Sequence, residues 1–444
     1  MSRSPAESDE WKQCQDGLPC IRVDDKAPLE FALPVYGYAI PLITLVTVIT
    51  NTFIVIVMSH RHLRTPTNTI LLAMAVTELL TGLCSLPWSL YYYTFGGYQT
   101  NQQTGLPQFW CATFSLLAEG VPTIFHNSAV WLTVFLAVQR YLYVCQTSSR
   151  YQEILNKRRI KIIIVLLTFA SAGFEIPKLA ATHFESLPVL HPNLTNVTYN
   201  HCVVRYTSWV RELGLNAFYS TYYWFSIIFV HTLPCIFLAV FTVTLVRYIQ
   251  TADKRRRKSL LFKRKLVEET ASQNSRDGCA VGSPACIRRQ RCSMQTKRYF
   301  HSTTRMLIVV ILLFLIMEIP VAFIFAFHMV LVTFSGVDQS RWYHILNILI
   351  IFRNLLIPLS YPFNFAVYCG MSQQFRLTVR CLFYGKQMIV HRSASSQMRA
   401  SMRYSIVVIN RPKMGGTSKR LSIISIEPCR AESLRRMRSG SQNV

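Results

Sequence analysis

The sequence predicts an all-α membrane protein, in which a bundle of seven membrane-spanning helices is followed by a short amphipathic eighth helix. Three observations carry this prediction: the length of the apolar runs, the distribution of basic residues between them, and the position of two glycosylation sequons. The chain has 444 residues, of which 51% are hydrophobic. Because a soluble protein of this size can reach the same fraction, the arrangement of the apolar residues decides the fold class.

Seven apolar runs are long enough to cross a bilayer, which takes about 20 residues of helix. Helices of a soluble protein would instead show a polar stripe along one face. We therefore favour seven spans over seven buried soluble helices. The runs cover residues 35–58, 68–95, 109–145, 160–181, 217–249, 305–332 and 343–369.

Basic residues alternate between the segments that connect the runs. Segments 59–66, 146–159, 250–305 and 371–444 hold 2, 4, 15 and 14 Lys plus Arg, whereas segments 1–34, 90–110, 182–215 and 333–342 hold 4, 0, 2 and 1. Because basic residues concentrate on the cytoplasmic side of a membrane, we expect an extracellular N-terminus and a cytoplasmic C-terminus.

The formal net charge of +26 suggests nucleic acid as a binding partner. The basic segments lack interleaved aromatic residues that could stack on bases, so we expect no such partner.

The connecting segments define the domain organisation. We expect an extracellular tail over 1–34, the bundle over 35–371, the amphipathic helix over 372–384 and a cytoplasmic tail over 385–444. Within the bundle, the extracellular loop 182–215 carries both sequons, with Asn193 and Asn196 as glycosylation acceptors. Segment 250–305 is a basic cytoplasmic loop. Neither it nor the tail shows apolar periodicity, so we expect both to lack regular structure and their basic residues to bind anionic membrane lipids.

Four of the thirteen cysteines fall on the side predicted to be extracellular. The oxidising exterior permits a disulfide between Cys111 and Cys202, and another between Cys14 and Cys20, although the sequence leaves both pairings open. Cys381 follows the last span in an amphipathic stretch and is a candidate for S-palmitoylation, with a buried thiol as the alternative. Cys279, Cys286 and Cys292 have spacings too wide for a zinc site, so we expect neither a metal nor a cofactor.

The third span carries a stripe of polar residues that leads to an arginine. Stepping back from Arg140 by about 3.6 residues per turn passes near His126 and Glu119 and ends at Cys111. Either polar residue alone would be interpreted as a structural side chain that forms a hydrogen bond to a neighbouring helix. Both together on the arginine face favour a cavity lined by this side of the span.

Six stretches of the chain carry a resemblance to known proteins. They are VYGYAIPLITLVTVITN (35–51), TPTNTILLAMAVTELL (65–80), HNSAVWLTVFLAVQRYLYVC (126–145), FVHTLPC (229–235), MEIP (317–320) and SYPFNFAVYCGMSQQF (360–375). In this order they resemble the class A (rhodopsin-like) G-protein-coupled receptors. More narrowly, they resemble the invertebrate sex-peptide and myoinhibitory-peptide receptors of the FMRFamide-type group. The resemblance covers about residues 35–385.

The resemblance implies roles for individual residues. Asn51 and Glu78 are implied as structural polar residues, and Cys111 and Cys202 as the conserved outer disulfide. The residues implied in activation and G-protein coupling are Gln139, Arg140, Tyr141, Pro320, Tyr361, Pro362 and Phe365. Several positions depart from the common pattern: Gln139 replaces an acid, Glu78 an aspartate, and Glu318 the usual tryptophan of the sixth span. The peptide-receptor group shares several of these departures, which sharpens the resemblance.

The resemblance further implies a receptor for a short amidated neuropeptide of the myoinhibitory type that acts through a heterotrimeric G protein, with arrestin and receptor kinases as further partners. The candidate ligand-binding residues are Trp88, Tyr92, Glu119, His126, Tyr222, Tyr223, Glu318, Phe323, Phe327 and Arg353. For any single aromatic residue, the alternative is the interfacial belt at the bilayer edge.

Other functions remain as alternatives. The ligand could be another FMRFamide-related peptide. A seven-span channel or transporter is a weaker alternative, because the seventh span has Arg353 and no lysine of the retinal-binding type. An enzyme is not expected, because neither an H-E-x-x-H nor a G-x-S-x-G motif is present.

Gln139 generates the first testable prediction. An ionised acid before Arg140 would hold the guanidinium by a charge-assisted bond, whereas a neutral amide offers a bond about half as strong. We expect Gln139→Glu to lower ligand-independent nucleotide exchange on the G protein in membranes that contain the receptor. Equal or higher basal exchange, at matched receptor density, would refute this account.

Overall fold

The computed structural model describes residues 28–60, 63–145, 155–190, 198–273, 284–334, 339–383, 387–392 and 404–409. Cys14, Cys20, Asn193 and Asn196 lie outside the described residues, so their pairing and glycosylation stay predictions. Within the described part, seven helices are long and apolar enough to cross a membrane, which confirms the predicted number of spans.

The spans, numbered one to seven in chain order, are nearly continuous helices. The first four cover Leu29–Met58, Pro66–Thr94, Gln108–Cys145 and Lys157–Ala181. The fifth runs through Leu215–Ser226, Ile227–Thr232 and Leu233–Gln273, the sixth covers Pro284–Phe334, and the seventh covers Gln339–Met371. Three short helices, Gly97–Thr104, Ser208–Leu213 and Gln373–Phe383, lie outside the spans. Four π-helical turns interrupt the spans, at Leu33–Ala39, Leu90–Thr94, Ser115–Gly120 and Ile227–Thr232.

The spans expose apolar residues and bury polar ones. Leu42, Phe169 and Ile316 are each more than half exposed, whereas Asn51 and Ser128 are fully buried. Lipid tails are as apolar as leucine, so an exposed leucine costs nothing in a bilayer, while a polar side chain must find its partners inside the protein. The interior of the bundle is therefore where the chemistry of this protein is concentrated.

One end of the bundle, termed the hairpin end, is covered by two antiparallel strands, β1 (Thr182–Leu190) and β2 (Thr198–Tyr206). A disulfide between Cys111 and Cys202 joins β2 to the third span, as predicted. The Arg205 Nε atom lies 2.8 Å from Glu185 Oε2 across the two strands. The hairpin is thus fixed over the ends of the spans by a covalent link.

The opposite end, termed the arginine end, carries Arg140 near the last turn of the third span. Here the fifth span continues to Gln273 and the sixth begins at Pro284, so helix replaces most of the segment 250–305 that we expected to lack regular structure. The cause is that Lys, Arg, Glu and Leu are strong helix formers, so the helices outlast the apolar runs. An ion pair between Arg305 and Asp253 joins the two extensions.

The C-terminal region also contains regular structure. The helix Gln373–Phe383 follows the seventh span, and its Phe375 ring packs 6.2 Å from the ring of Phe53 in the first span. In the tail, Gln387–Arg392 (β3) pairs antiparallel with Tyr404–Ile409 (β4), although we expected the tail to be unstructured. The sequences QMIVHR and YSIVVI are short and rich in β-branched residues, which favours strands.

Gly105 generates a prediction about stability. Its φ of +77° is in the left-handed region, and a Cβ atom at this position would collide with the backbone carbonyl of Asn200 in β2. Gly214 also has a positive φ, of +85°, but a Cβ atom there would have ordinary contacts. A non-glycine residue costs about 1–2 kcal/mol for the left-handed conformation alone. We therefore expect Gly105→Ala to lower the melting temperature of the purified protein by more than the control Gly214→Ala. Equal shifts in melting temperature for the two variants would show that the close contact between Gly105 and Asn200 contributes nothing to stability.

Candidate functional site

A carboxylate lies buried among histidines near the middle of the bundle. Glu318 Oε1 of the sixth span is 3.4 Å from His126 Nε2 of the third span, and Glu318 Oε2 is 3.8 Å from His231 Nδ1 of the fifth span. The three side chains are between 4% and 5% exposed. Both distances are longer than a good hydrogen bond, so the carboxylate retains capacity to accept further donors.

The seventh span completes this group. The Tyr361 hydroxyl lies 3.3 Å from His126 Nδ1, on the side of the imidazole ring away from Glu318. The Arg353 guanidinium sits 5.2 Å from the centre of the Phe325 ring and is close enough to Glu318 for electrostatic attraction. We refer to His126, His231, Glu318, Arg353 and Tyr361 as the central polar cluster. It joins the third, fifth, sixth and seventh spans.

The central polar cluster contains buried polar atoms that make no hydrogen bond within the described part of the chain. The described part of the chain contains no group of three or more His, Cys, Asp or Glu arranged to hold a metal ion. Four buried atoms of the cluster have no hydrogen-bond partner among the described residues: His126 Nε2, His231 Nδ1, Glu318 Oε2 and Arg353 Nε. Three of these atoms lie in the two ion pairs of Glu318, which are too long for good hydrogen bonds, so the cluster can still accept a hydrogen bond from, or donate one to, a polar group that enters the bundle.

The geometry of the sixth span corrects two of the predicted ligand contacts. Phe323 and Phe327 are 71% and 42% exposed and lie five and nine residues after Glu318. At about 3.6 residues per turn, both rings point away from the face that carries Glu318. Phe325, which follows Glu318 by seven residues, lies on the cluster face instead, with its ring 5.4 Å from that of His231. A count of helical turns from Glu318 could have found it in the sequence.

Trp88 and Tyr92 occupy a packed core rather than the wall of a cavity. Their rings stack at 5.0 Å, and Trp88 also meets the Phe114 ring at 4.6 Å. Tyr92 is fully buried, next to the disulfide-bonded Cys111 and Cys202 in the same cluster. These two residues stabilise the hairpin end, because stacked and edge-to-face aromatic pairs add to the free energy of packing.

A second group of charged side chains lies nearer the hairpin end. Glu119 Oε2 of the third span is 3.1 Å from Lys178 Nζ of the fourth span, and the two side chains are 42% and 22% exposed. We expected Glu119 and His126 to share one face. Glu119 lies in the π-helical turn Ser115–Gly120, forms its ion pair with the fourth span, and is also close enough to Arg353 of the central polar cluster for electrostatic attraction.

Lys178 was not predicted, although a lysine inside an apolar run beside Pro177 was a usable signal. Glu175 lies one turn before it and accepts a hydrogen bond from Asn127 Nδ2 at 3.3 Å. Tyr222 and Tyr223 of the fifth span interact electrostatically with both Lys178 and Glu175. Glu119, Glu175, Lys178, Tyr222 and Tyr223 form what we call the upper charged group.

At the arginine end, Gln139 is tied to a neighbouring helix. Its Oε1 atom accepts a hydrogen bond from the Thr67 hydroxyl of the second span at 3.3 Å, and the Gln139 side chain is fully buried. Arg140 is also buried, at 7% exposure, while the Tyr141 ring lies 5.5 Å from the ring of Phe241 in the fifth span. The amide that replaces an acid before Arg140 therefore binds the second span.

Glu78 links three spans at the level between the central polar cluster and the arginine end. It accepts hydrogen bonds from Asn51 Nδ2 of the first span at 3.2 Å and from Asn364 Nδ2 of the seventh span at 2.7 Å. An acid with two amide partners satisfies its charge inside the bundle, which fits the structural role expected of Asn51 and Glu78.

The other predicted activation residues lie in the sixth and seventh spans. Pro320 and Pro362 both fall inside helices, where each removes a backbone hydrogen bond. The Phe365 ring packs 5.6 Å from Phe53 and 6.3 Å from Phe375. Cys381 falls in the helix Gln373–Phe383, and its lipidation stays a prediction.

The contact between Glu318 and His126 generates a prediction of energetic coupling. We expect the destabilisation caused by Glu318→Ala and His126→Ala together to differ from the sum of the single changes by about 0.5–3 kcal/mol, because residues in contact are not additive. Denaturant unfolding of the purified protein without ligand measures this difference. Glu318→Ala combined with Arg205→Ala, a residue of the hairpin, is the control and should be additive. If the effects of Glu318→Ala and His126→Ala on the free energy of unfolding were additive, the two side chains would not be coupled and His126 would not belong to the central polar cluster.

Comparison with known proteins identifies the family. Residues 50–364 match the family model of the 7 transmembrane receptor (rhodopsin family). The chain is 34% identical to the sex peptide receptor of Drosophila melanogaster over 404 residues, which cover 88% of this chain and 82% of that protein. It is 29% identical over 367 residues to sex peptide receptor-related protein 2 of Caenorhabditis elegans, covering 82% and 74%. It is 22% identical over 396 residues to the G-protein coupled receptor dmsr-1 of the same organism, covering 84% and 73%.

The family match spans the second to the sixth helices in full, begins at Thr50 inside the first and ends at Asn364 inside the seventh. The seven spans and the disulfide agree with a multi-pass membrane receptor, and the matched family and relatives are receptors rather than enzymes. The chain therefore belongs to the rhodopsin family of seven-transmembrane receptors.

Proposed function

We propose that this protein is a plasma-membrane receptor for a short extracellular amidated neuropeptide of the myoinhibitory type. In this proposal the receptor activates a heterotrimeric G protein of the inhibitory class. The observation that carries it is the similarity to the Drosophila sex peptide receptor along 88% of the chain. The narrower ligand class rests on the motifs shared with that group, above all Gln139–Tyr141 and the Glu318–Pro320 stretch.

In the proposed orientation the hairpin end is extracellular and the arginine end is cytoplasmic. The basic residues support this, because the segments at the arginine end hold most of the Lys and Arg of the chain. The disulfide at the hairpin end supports it as well, since disulfides persist in an oxidising compartment. Arrestin, receptor kinases and membrane lipids would then meet the arginine end and the tail.

The proposed peptide site extends from the upper charged group down to the central polar cluster. Glu119 is 42% exposed although it lies in a span, and a charged side chain in a span faces water or protein rather than lipid. The space beside Glu119 is therefore accessible to a polar ligand. Tyr222 and Tyr223 offer aromatic surface there, and Arg353 and Glu318 offer charge below. Aromatic walls with a few polar anchors suit an amphipathic peptide end.

Activation in this proposal is a shift between two populations. The peptide moves the equilibrium only by the difference between its affinities for the two states. Glu318 lies two residues before Pro320 in the sixth span, so a ligand that changes the partners of Glu318 acts directly beside the proline. The sixth span then bends at Pro320 and opens the arginine end, where Arg140 receives the G protein.

The ligand class is tested by a panel of synthetic peptides on membranes that contain the receptor and a purified inhibitory-type G protein. We expect amidated peptides with two spaced tryptophans to stimulate nucleotide exchange at lower concentrations than other FMRFamide-related peptides. If another FMRFamide-related peptide were the most potent, the narrower ligand class would be wrong while the receptor assignment would stand. If no peptide stimulated exchange, the whole proposal would fail.

The peptide site is tested by substitution. We expect Glu119→Gln and His126→Ala each to weaken the affinity for the active peptide by about tenfold or more, because each removes a buried or half-buried polar anchor. Surface expression should be unchanged. Asp253→Asn, an acid-to-amide change at the arginine end, is the matched control and should leave peptide affinity unaltered. Normal affinity in both site variants would show that the peptide binds elsewhere.

A further inference from the structure

A cavity at the arginine end lies outside the proposed peptide site. It has a volume of about 600 Å³ and opens between the end of the first span, the start of the second and the start of the fourth. This volume falls within the range of about 300–1,000 Å³ that is typical of small-molecule sites. Four cationic side chains line it: Arg64, Lys157, Arg158 and Lys161.

The four cations have no acidic counterpart in the cavity. No Asp or Glu lines it, and none of the ion pairs in the described part of the chain includes any of the four. All four side chains are exposed. Like charges held together repel one another, and this repulsion is relieved when an anion enters. The lining therefore matches a ligand with several negative charges.

Three of the four cations lie in the first turns of the fourth span, which begins at Lys157. The start of a helix carries partial positive charge, so cations are unfavourable there and anions are favoured. The position of this helix start is fixed, because Asn156 caps it by accepting a hydrogen bond from the Arg159 backbone at 3.0 Å and Ile160 is fully buried. The cations are thus presented by a rigid element.

The rest of the cavity includes an apolar surface. Met58, Leu63 and Leu72 line it, at the end of the first span and the start of the second; Met58 and Leu63 are almost fully buried, and Leu72 is the most exposed of the three. A free inorganic anion would gain nothing from these three side chains. A molecule with a polyanionic head and an apolar tail would contact both the cations and the apolar surface.

We propose that this cavity binds the polyphosphorylated headgroup of an anionic membrane phospholipid, with the glycerol and first acyl carbons against Met58, Leu63 and Leu72. The inference rests on the proposed orientation, which brings the arginine end to the cytoplasmic leaflet. Attraction to anionic lipid contributes about 1 kcal/mol for each basic residue, which corresponds to about fivefold in affinity.

The experiment uses the full-length receptor in nanodiscs of neutral phosphatidylcholine. Short-chain phosphatidylinositol 4,5-bisphosphate is titrated into wild type and into Arg158→Gln/Lys161→Gln, which should bind it about 25-fold more weakly. The matched control is Arg159→Gln/Arg257→Gln, which also removes two exposed charges, one from the same helix turn, but none from the cavity. The control should change the affinity by less than about fivefold.

A second variant keeps the test independent of the fourth span. Arg64→Gln, at the opposite side of the cavity, should weaken lipid binding about fivefold. Equal weakening in the cavity variant and in the control would overturn the proposal, because it would show general charge attraction rather than a site. Inositol 1,4,5-trisphosphate and inorganic phosphate are titrated in parallel. If either bound as tightly as the lipid, the ligand would be a soluble phosphate and the lipid proposal would be wrong.

The proposed orientation in the membrane is tested by a separate experiment. An epitope at the N-terminus should be labelled on intact cells if the hairpin end is extracellular. Labelling of that epitope together with unchanged lipid affinity in the cavity variant would overturn only the lipid site. Absence of labelling, with labelling of a C-terminal epitope instead, would overturn the orientation and with it the cytoplasmic lipid.

Discussion

The buried carboxylate of Glu318 is the constraint on which the arrangement of the third, fifth, sixth and seventh spans depends. A charge inside a bilayer has no water to solvate it, so the protein must supply every partner. His126, His231 and Arg353 are those partners, and each comes from a different helix. Removing one partner of a buried charge costs about 3–5 kcal/mol. The rotation of these four helices about their own axes is therefore set by one side chain.

The other contacts divide the bundle into levels. The hairpin end is fixed by the disulfide and by the aromatic core around Trp88, whose contacts are numerous and apolar. Glu78 joins the first, second and seventh spans, and Thr67 joins the second span to Gln139. At the arginine end the fifth and sixth spans meet through the exposed pair of Arg305 and Asp253, and also through a buried apolar cluster of Leu245, Ile249 and Ile308 with Val144 of the third span. Because exposed pairs contribute little to stability, apolar packing is what holds the spans together at this end.

The predictions that succeeded concern features that depend on a single helix or on the environment of one side of the membrane. The number of spans, the disulfide and the burial of Asn51, Glu78 and His126 are of this kind, because a polar residue in a span must face inward. The predictions that failed concern partners. Phe323 and Phe327 were assigned to the ligand site, but both lie on the outer face of the sixth span, and the pairing of Glu119 with Lys178 was not predicted. Trp88 and Tyr92 have the composition of a binding wall, but packing against Phe114 made them core.

The sequence by itself determined that the chain has seven spans and that polar residues such as Asn51, Glu78 and His126 must be buried, because the bilayer imposes the same requirement on every span. Only the tertiary structure decided that Glu119 pairs with Lys178 and that Glu318 lies between two histidines. It also decided that four cations from two separate segments line one cavity. The physical reason is that a helix fixes the spacing of its residues, whereas its rotation and its local π-helical turns are fixed by the neighbours against which it packs.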